Sequence, residues 1–209
     1  MNAKKIAIVA NGRIHDLTEI SKLVKAHSFI VAADGGLLNC EAMGITPDLI
    51  VGDMDSTPSE TLKKYKDVPI ELFPIDKDKT DLEIAIETVF SPNVEKISLF
   101  AALEKRIDHA LYNLYLLFRY PGKLVIESEY ETVFIINQSM DISCRPGQTI
   151  SLLPFGSLAK NVTARGLKWE LQNATLDHDF MSVSNICLNN TFRVEIKEGN
   201  LLCCLCKSS

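Results

Sequence analysis

The feature that most constrains the fold is the stretch from Val31 to Ser56, where two short apolar runs each end abruptly in acidic residues and glycines. The first run is followed by DGG at residues 34–36, and the second by GDMDS at residues 52–56. Between them, LLNCEAMG is typical of a short helix that ends at Gly44, and Pro47 prevents its continuation. The stretch therefore predicts two parallel strands with carboxylates at their carboxyl ends, where open parallel sheets bind ligands.

Strand-like and helix-like segments alternate through the first 138 residues. Continuous apolar runs at 4–10 and 96–101 are typical of parallel strands that are buried on both faces. Thr80, followed three residues later by Glu83, indicates a capping box at the start of a helix. We therefore expect an α/β domain over residues 1–138, with a Rossmann-like parallel sheet.

The pattern changes after this point. Residues 139–209 lack helical periodicity and contain short β-prone runs, which turn signals such as Pro146-Gly147 and Phe155-Gly156 separate. Short strands at regular spacing predict a small all-β domain, either a sandwich or a barrel. Because about seventy residues bury only a small core, we expect this domain to pack against the first domain or a second subunit.

Composition narrows the class of protein. The chain has 209 residues, of which 46% are hydrophobic and 23% charged, as in a globular protein. A net charge of −5 argues against a nucleic-acid-binding protein, and no apolar run approaches the length of a membrane span. None of the six cysteines forms a CxxC pair, so we expect reduced thiols and a cytoplasmic protein.

Four short motifs after predicted strands carry the candidate chemistry, and neither GxxxxGK[ST] nor GxGxxG occurs. Asp53 and Asp55 can both face one ion across a tight turn, and Mg²⁺ prefers such carboxylates together with phosphate oxygens and water. Arg106 suits the neutralisation of charge on a transferring phosphoryl group. The motifs contain Asp34, Gly35 and Gly36; Asp53, Asp55 and Ser56; Asp78, Thr80 and Asp81; and Arg106, Asp108 and His109.

Each motif alone is equally typical of a turn or a helix cap, and a lone His109 is more often a packed or surface histidine than a base. Gly35 and Gly36 would let backbone amides approach phosphate oxygens. Four acidic strand ends in order along one α/β layer favour Mg²⁺-dependent phosphate chemistry.

The order of the motifs ADGG, PDLIVGDMDS, DKTD, RIDH, SLLPFG, GLKWEL and SVSN resembles the thiamine pyrophosphokinase (thiamine diphosphokinase) family across nearly the whole chain. The resemblance implies an N-terminal α/β domain, a C-terminal β-sandwich and a homodimer. It also implies transfer of the pyrophosphoryl group of ATP to the hydroxyethyl oxygen of thiamine, with release of AMP.

The resemblance also assigns roles to individual residues. Mg²⁺ would be held, and the triphosphate oriented, by Asp53, Asp55 and Asp81, with Arg106 and Asp108 beside the phosphates. The residues that would line or support the ATP site are Asn11, Asp34, Gly35, Gly36, Asp78 and Thr80. Thiamine would be bound by three residues of the other subunit, Trp169, Ser184 and Asn185. Asp108 would be placed to accept the proton of the attacking alcohol. The face of Trp169, the only tryptophan, would stack on the thiazolium or the aminopyrimidine.

One departure from the family pattern stands out. Glu104-Lys105 occupies the place of two glycines before the R-x-D-H segment, so we expect the backbone there to approach the nucleotide differently. Two alternatives to the kinase therefore stay open. One is a catalytically impaired module that binds a nucleotide or thiamine, and the other is an Mg²⁺-dependent phosphotransferase with another alcohol acceptor.

Overall fold

The computed structural model describes residues 5–74, 76, 78–103 and 105–207, and it divides the chain into two compact units, Met1–Glu129 and Tyr130–Ser209. In the first unit, the described residues form six strands and five helices. In chain order these are β1 (Lys5–Val9), α1 (Leu17–Lys25), β2 (Phe29–Ala33), α2 (Gly36–Ala42), β3 (Leu49–Gly52), α3 (Ser59–Lys64), β4 (Ile70–Leu72), α4 (Asp81–Val89), β5 (Lys96–Phe100), α5 (Ile107–Arg119) and β6 (Leu124–Glu127).

The strands of the first unit lie in the order β4-β3-β2-β1-β5-β6, and every neighbouring pair is parallel. Strands β1 and β3 are buried along almost their whole length, as their continuous apolar sequences predict. This arrangement confirms a mixed α/β fold. It also brings the carboxyl ends of β1, β2, β3 and β5 to one edge of the sheet.

Local sequence signals set the helix ends. The Asp16 carboxylate accepts a hydrogen bond from the Glu19 backbone N–H at 2.9 Å and caps α1. Thr80 does the same for α4, since its Oγ1 accepts from the backbone N–H of Glu83 at 3.2 Å. Gly44, with φ of +62°, lies just after the end of α2, as its sequence predicts.

Glu83, the second residue of the predicted capping box, forms side-chain contacts with another helix. The Glu83 carboxylate is only 3% exposed and accepts hydrogen bonds from the Tyr112 hydroxyl and the Arg119 guanidinium, both on α5. A charge that is buried in this way needs such partners. Glu83 therefore ties α4 to α5, the two helices whose first residues lie near the predicted phosphate chemistry.

The second unit contains only strands among its described residues. They are β7 (Glu131–Ile136), β8 (Met140–Ser143), β9 (Thr149–Pro154), β10 (Ala159–Arg165), β11 (Leu171–Leu176), β12 (Ser182–Ile186), β13 (Thr191–Glu195) and β14 (Leu201–Cys206). They pair antiparallel in two sets, β12-β9-β14-β7 and β11-β10-β13-β8. Buried apolar side chains of both sets, such as Leu152 and Phe192, form one core.

The structural division comes earlier than the sequence boundary between residues 138 and 139. Strand β7, which the sequence analysis assigned to the first domain, pairs with β14 at six consecutive positions from Glu131 to Ile136. Its partner lies about seventy residues further along the chain, so local sequence patterns carry no sign of this pairing.

No helix among the described residues is long and apolar enough to cross a membrane. All six cysteines are free thiols, in agreement with the expectation from their spacing. Burial raises the pKa of Cys40 and of Cys204 to about 12, so both thiols stay protonated near neutral pH.

Candidate active site

A cavity of about 370 Å³ opens at the carboxyl ends of the strands in the first unit. Its walls come from the segments that follow β1, β2, β3 and β5 and from the first residues of α4 and α5. The lining residues are Ala10, Asn11, Gly12, Ala33, Asp34, Asp53, Asp55, Ser56, Thr80, Asp81, Leu82, Ala101, Ala102, Lys105, Arg106, His109 and Asn113. Ligands bind at this edge of parallel sheets.

Most of the residues assigned to ATP and Mg²⁺ from the sequence meet in this cavity. Asn11, Asp34, Asp53, Asp55, Thr80, Asp81 and Arg106 all line it, whereas Gly35, Gly36, Asp78 and Asp108 do not. Trp169, Ser184 and Asn185 belong to the second unit. Glu104 lies outside the described residues.

Three carboxylates converge in the cavity. Asp34, Asp53 and Asp81 each place an oxygen so that all three atoms lie within 4.8 Å of one another. Asp34 is 6% exposed, and its Oδ1 is buried with no hydrogen-bond partner among the described residues. A buried carboxylate oxygen without a donor is costly, which makes this cluster a candidate site for a cation.

Neighbouring residues of the chain hold the Asp55 backbone and side chain. It is exposed, its backbone N–H donates to Asp53 Oδ1 at 3.1 Å, and its carboxylate accepts from the Ser56 hydroxyl at 2.9 Å. The described cluster consists of Asp34, Asp53 and Asp81, and metal binding by Asp55 stays a prediction. Asp55 still lines the cavity.

The backbone is strained around the cavity. Asp34, Met54, Ala101 and Lys105 all have positive φ, at 45°, 62°, 54° and 86°. These are all the described non-glycine residues of the first unit with this conformation, and each lines the cavity or adjoins a residue that does. Strain of this kind persists where surrounding contacts enforce it, and it concentrates at functional sites.

The two glycines of the DGG turn serve the packing of the chain itself. A Cβ on Gly35 would lie 2.2 Å from Nδ2 of Asn11, and a Cβ on Gly36 would lie 1.9 Å from the carbonyl oxygen of Val9. Neither glycine lines the cavity. Glycine is therefore required at Gly36, where the β1 backbone packs against the turn, whereas a side chain at Gly35 would force the Asn11 side chain to shift.

Arg106 and Asp108 form an ion pair at the start of α5. The guanidinium donates from Nε to Asp108 Oδ1 at 3.1 Å and from Nη2 to Oδ2 at 2.5 Å. This pairing lowers the pKa of the Asp108 carboxyl to about 2. A carboxylate with so low a pKa is a weak base at neutral pH, so Asp108 needs Arg106 to move away before it can accept a proton effectively.

Lys105 and Asn113 are two of the lining residues to which the sequence motifs assign no role, and both form hydrogen bonds at the cavity. Lys105 was noted only as a departure from the family pattern, yet its Nζ donates to Asn11 Oδ1 at 2.8 Å. Asn113 is 6% exposed and its amide donates to the carbonyl of Ala102 at 2.7 Å, which holds the end of β5 against α5. An asparagine on the buried face of an otherwise apolar helix was the available sequence signal.

In the second unit, Trp169 lies just before β11 and is 55% exposed. The ammonium of Lys168 sits 4.7 Å from the centroid of its ring, in a cation–π contact. Ser184 on β12 is also exposed, and its backbone has a φ of 56°. The ring of Trp169 is therefore accessible and already accepts a cation on one face.

The side chain of Asn185 forms two hydrogen bonds with the backbone of Trp169. It is 1% exposed, its Nδ2 donates to the Trp169 carbonyl at 2.7 Å, and its Oδ1 accepts from the Trp169 N–H at 3.1 Å. A side chain that is buried and occupied in this way positions the tryptophan. The resemblance assigns both Asn185 and Trp169 to the thiamine site, and these hydrogen bonds connect the two residues.

Comparison with known proteins agrees with the division of the chain into two units, Met1–Glu129 and Tyr130–Ser209. The model for "Thiamin pyrophosphokinase, catalytic domain" matches residues 20–127, and the model for "Thiamin pyrophosphokinase, vitamin B1 binding domain" matches residues 133–201. Thiamine pyrophosphokinase 1 of Oryza sativa subsp. japonica is 30% identical over 167 residues, which span 73% of this chain and 63% of the rice protein. Thiamine pyrophosphokinase of Bacillus subtilis is 27% identical over 199 residues, which span 90% of this chain and 89% of that protein.

A solved structure shows the same fold. The crystal structure of thiamine pyrophosphokinase from Bacillus subtilis superposes with a TM-score of 0.87 over 99% of this chain and 100% of that one, at 21% sequence identity. The catalytic-domain match alone covers more than half of the residues, and the second match follows it in the expected order. The chain therefore belongs to the thiamin pyrophosphokinase family, as its sequence motifs predict.

Proposed function

We propose that this protein transfers the pyrophosphoryl group of ATP to the hydroxyethyl oxygen of thiamine and releases thiamine diphosphate and AMP. Family membership supports the reaction, and one structural observation carries the assignment of its site. Asp34, Asp53 and Asp81 converge at the carboxyl ends of the parallel strands, where a triphosphate and its metal would meet.

The residues present fit Mg²⁺. The three carboxylates supply hard oxygen ligands, and the buried Oδ1 of Asp34 gains the partner that the described residues do not provide. Bound there, Mg²⁺ would neutralise part of the charge on the phosphates. We assign the ion to Asp34, Asp53 and Asp81, with Asp55 beside them at the edge of the cavity.

Arg106 and Asp108 act as a pair in this proposal. A phosphate oxygen offers Arg106 an alternative to Asp108, because a guanidinium binds phosphates and carboxylates in the same forked geometry. When Arg106 turns to the phosphate, the pKa of Asp108 rises from about 2 towards its ordinary value. Substrate binding would thereby strengthen Asp108 as the acceptor of the alcohol proton.

Thiamine binding belongs to the second unit. The exposed ring of Trp169 offers a face to the cationic thiazolium or to the aminopyrimidine, and its contact with Lys168 supports an affinity for cations. Ser184 is exposed and able to donate a hydrogen bond. Asn185 holds the tryptophan backbone in place.

The finer architecture is part of the same proposal. We assign the nucleotide to a Rossmann-like α/β domain, predicted over residues 1–138, and thiamine to a β-sandwich, predicted over residues 139–209. A cytoplasmic location remains a prediction from the sequence.

We also propose a homodimer with sites at the subunit interface. Helix α5 supports association, because exposed apolar side chains recur along it at helical spacing: Ile107, Leu111, Tyr115 and Phe118. Sedimentation of the active protein as a monomer would overturn the dimer.

Product analysis tests the reaction. The protein is incubated with ATP, Mg²⁺ and thiamine, and nucleotides and thiamine phosphates are separated by chromatography. Equal amounts of AMP and thiamine diphosphate are expected. Formation of ADP would indicate an ordinary phosphotransferase, and binding without products would indicate a catalytically impaired module; either result contradicts the proposal.

A further inference from the structure

Lys105 occupies a backbone conformation that does not suit a lysine. Its φ of 86° lies in the left-handed region, which glycine adopts without steric cost and which a side chain with a Cβ rarely adopts. A glycine is also what the family pattern has at this place. This chain therefore has a lysine at a position where the left-handed backbone favours glycine. Backbone strain concentrates at functional sites, which points to a role for the Lys105 side chain.

Lys105 lines the cavity, and its ammonium contacts a second lining residue. Its Nζ donates to Asn11 Oδ1 at 2.8 Å, a contact between residues that are 94 positions apart. Asn11 in turn packs against Gly35, where an added Cβ would lie only 2.5 Å from its Cγ. The lysine thus reaches from the segment before α5 to the turn after β1, and both ends of the contact line the cavity.

The cavity is rich in carboxylates, so a cationic side chain there would favour the binding of an anion. Asp34, Asp53, Asp55 and Asp81 all line it. The guanidinium of Arg106 is held by Asp108 through two hydrogen bonds, whereas the Lys105 ammonium contacts a neutral amide oxygen. A triphosphate carries more negative charge than one divalent ion neutralises, so a polyphosphate entering among these carboxylates needs cations on the protein side.

We propose that Lys105 is a phosphate-binding residue of the nucleotide site, and that its ammonium exchanges Asn11 for a phosphate oxygen of a nucleoside triphosphate. The exchange replaces a hydrogen bond to a neutral acceptor with one to an anion, which is stronger and shorter. This inference rests on the proposed function for the identity of the ligand. It adds a residue of this chain that the family pattern does not supply.

Equilibrium dialysis of the full chain with labelled ATP and Mg²⁺, without thiamine, tests the proposal. Lys105→Gln should raise the Kd for ATP about tenfold, because the side chain stays polar but is one atom shorter and loses its charge. Lys105→Arg should bind ATP nearly as well as the parent protein. Lys66→Gln, which removes an exposed lysine outside the cavity, should leave the Kd unchanged.

A Kd for Lys105→Gln equal to that of the parent protein would overturn the proposal. An equal rise in Lys66→Gln would also overturn it, since the effect would then come from net charge. A parent protein that binds ATP but forms no thiamine diphosphate would contradict the proposed function, and the dialysis would still decide the role of Lys105. Normal thiamine diphosphate formation with no change in Kd would contradict the role of Lys105 alone.

A second pair of variants tests the strain. Lys105→Gly and Lys105→Ala both lack the ammonium and should weaken ATP binding alike. Only alanine keeps the steric cost of the left-handed backbone, so the glycine variant should melt about 2–4 °C higher. Equal melting temperatures would show that the position carries no strain and would remove that support.

Discussion

The two units of this protein place their candidate chemistry in different parts of the β-strand. In the first unit, β1 and β3 are buried at nearly every position, so their side chains are unavailable to a ligand. The charged residues lie in the turns that follow the strands. In the second unit, strands such as β11 and β12 contain exposed as well as buried positions.

This difference follows from the sheet type. Helices cover a parallel sheet on its faces, so ligands reach only the strand ends, whereas an antiparallel sheet can leave one face open to solvent. Two exposed residues of the second unit are candidates for thiamine binding. Trp169 lies just before β11, and Ser184 lies on β12. We therefore expect changes at the strand ends to affect turnover most, and changes on the open faces to affect the binding of one substrate.

The largest effect should come from the acidic turns. Asp53→Asn removes one charge from the cluster with Asp34 and Asp81, and we expect kcat to fall roughly 10²–10³-fold because charge stabilisation is lost. The melting temperature should stay constant or rise, since repulsion between carboxylates decreases. Rates of thiamine diphosphate formation and thermal melts measure the two quantities.

Asp67→Asn is the matched control, because it neutralises an exposed aspartate outside the cavity. Its kcat should equal that of the parent protein. Near-normal kcat in Asp53→Asn would contradict the metal assignment and, with it, the claim that the strand ends carry the chemistry.

A smaller and more selective effect is expected on the second unit. Trp169→Ala removes an aromatic face that is worth about 1–2 kcal/mol to a cation, so KM for thiamine should rise about fivefold to thirtyfold. KM for ATP should not change. Steady-state kinetics with each substrate varied in turn measures both constants.

Trp169→Tyr keeps an aromatic face and should recover most of the affinity for thiamine. An equal rise in both KM values in Trp169→Ala would contradict the claim that changes in the second unit affect the binding of one substrate. That result would make the tryptophan a structural residue of its unit.

The smallest effect concerns the ion pair at the start of α5. Arg106 holds the pKa of Asp108 at about 2, so any stabilisation from the ionised pair is complete above the unfolded-state pKa of about 3.9 and is lost as the pH falls through about 2. Arg106→Gln should raise the pKa of Asp108 towards about 3.9. NMR titration of the Asp108 carboxyl carbon measures this shift.

The melting temperature of Arg106→Gln should change little, because both partners are exposed. Arg193→Gln is the matched control, since it removes an exposed arginine that pairs with Asp141 in the second unit. An unchanged Asp108 pKa in Arg106→Gln would show that another group lowers it.

Local sequence patterns were sufficient for the elements and for the acidic turns. Apolar runs that end in DGG and GDMDS specify strands followed by turns, and Thr80 specifies the start of α4 through a bond to a residue three positions away. Because parallel strands align their carboxyl ends, the sequence also places the turns that carry Asp34 and Asp53 at one edge of the sheet. All of these signals act over a few residues.

Only the tertiary structure decided which partners the side chains have. Asp34 joins the carboxylate cluster, and the Asp55 carboxylate accepts a hydrogen bond from Ser56. Glu83 bonds to α5, and β7 pairs with β14 across about seventy residues of chain. Sequence by itself determined where the charges of this protein lie along the chain; which of them meet depended on contacts between distant residues, which no local pattern encodes.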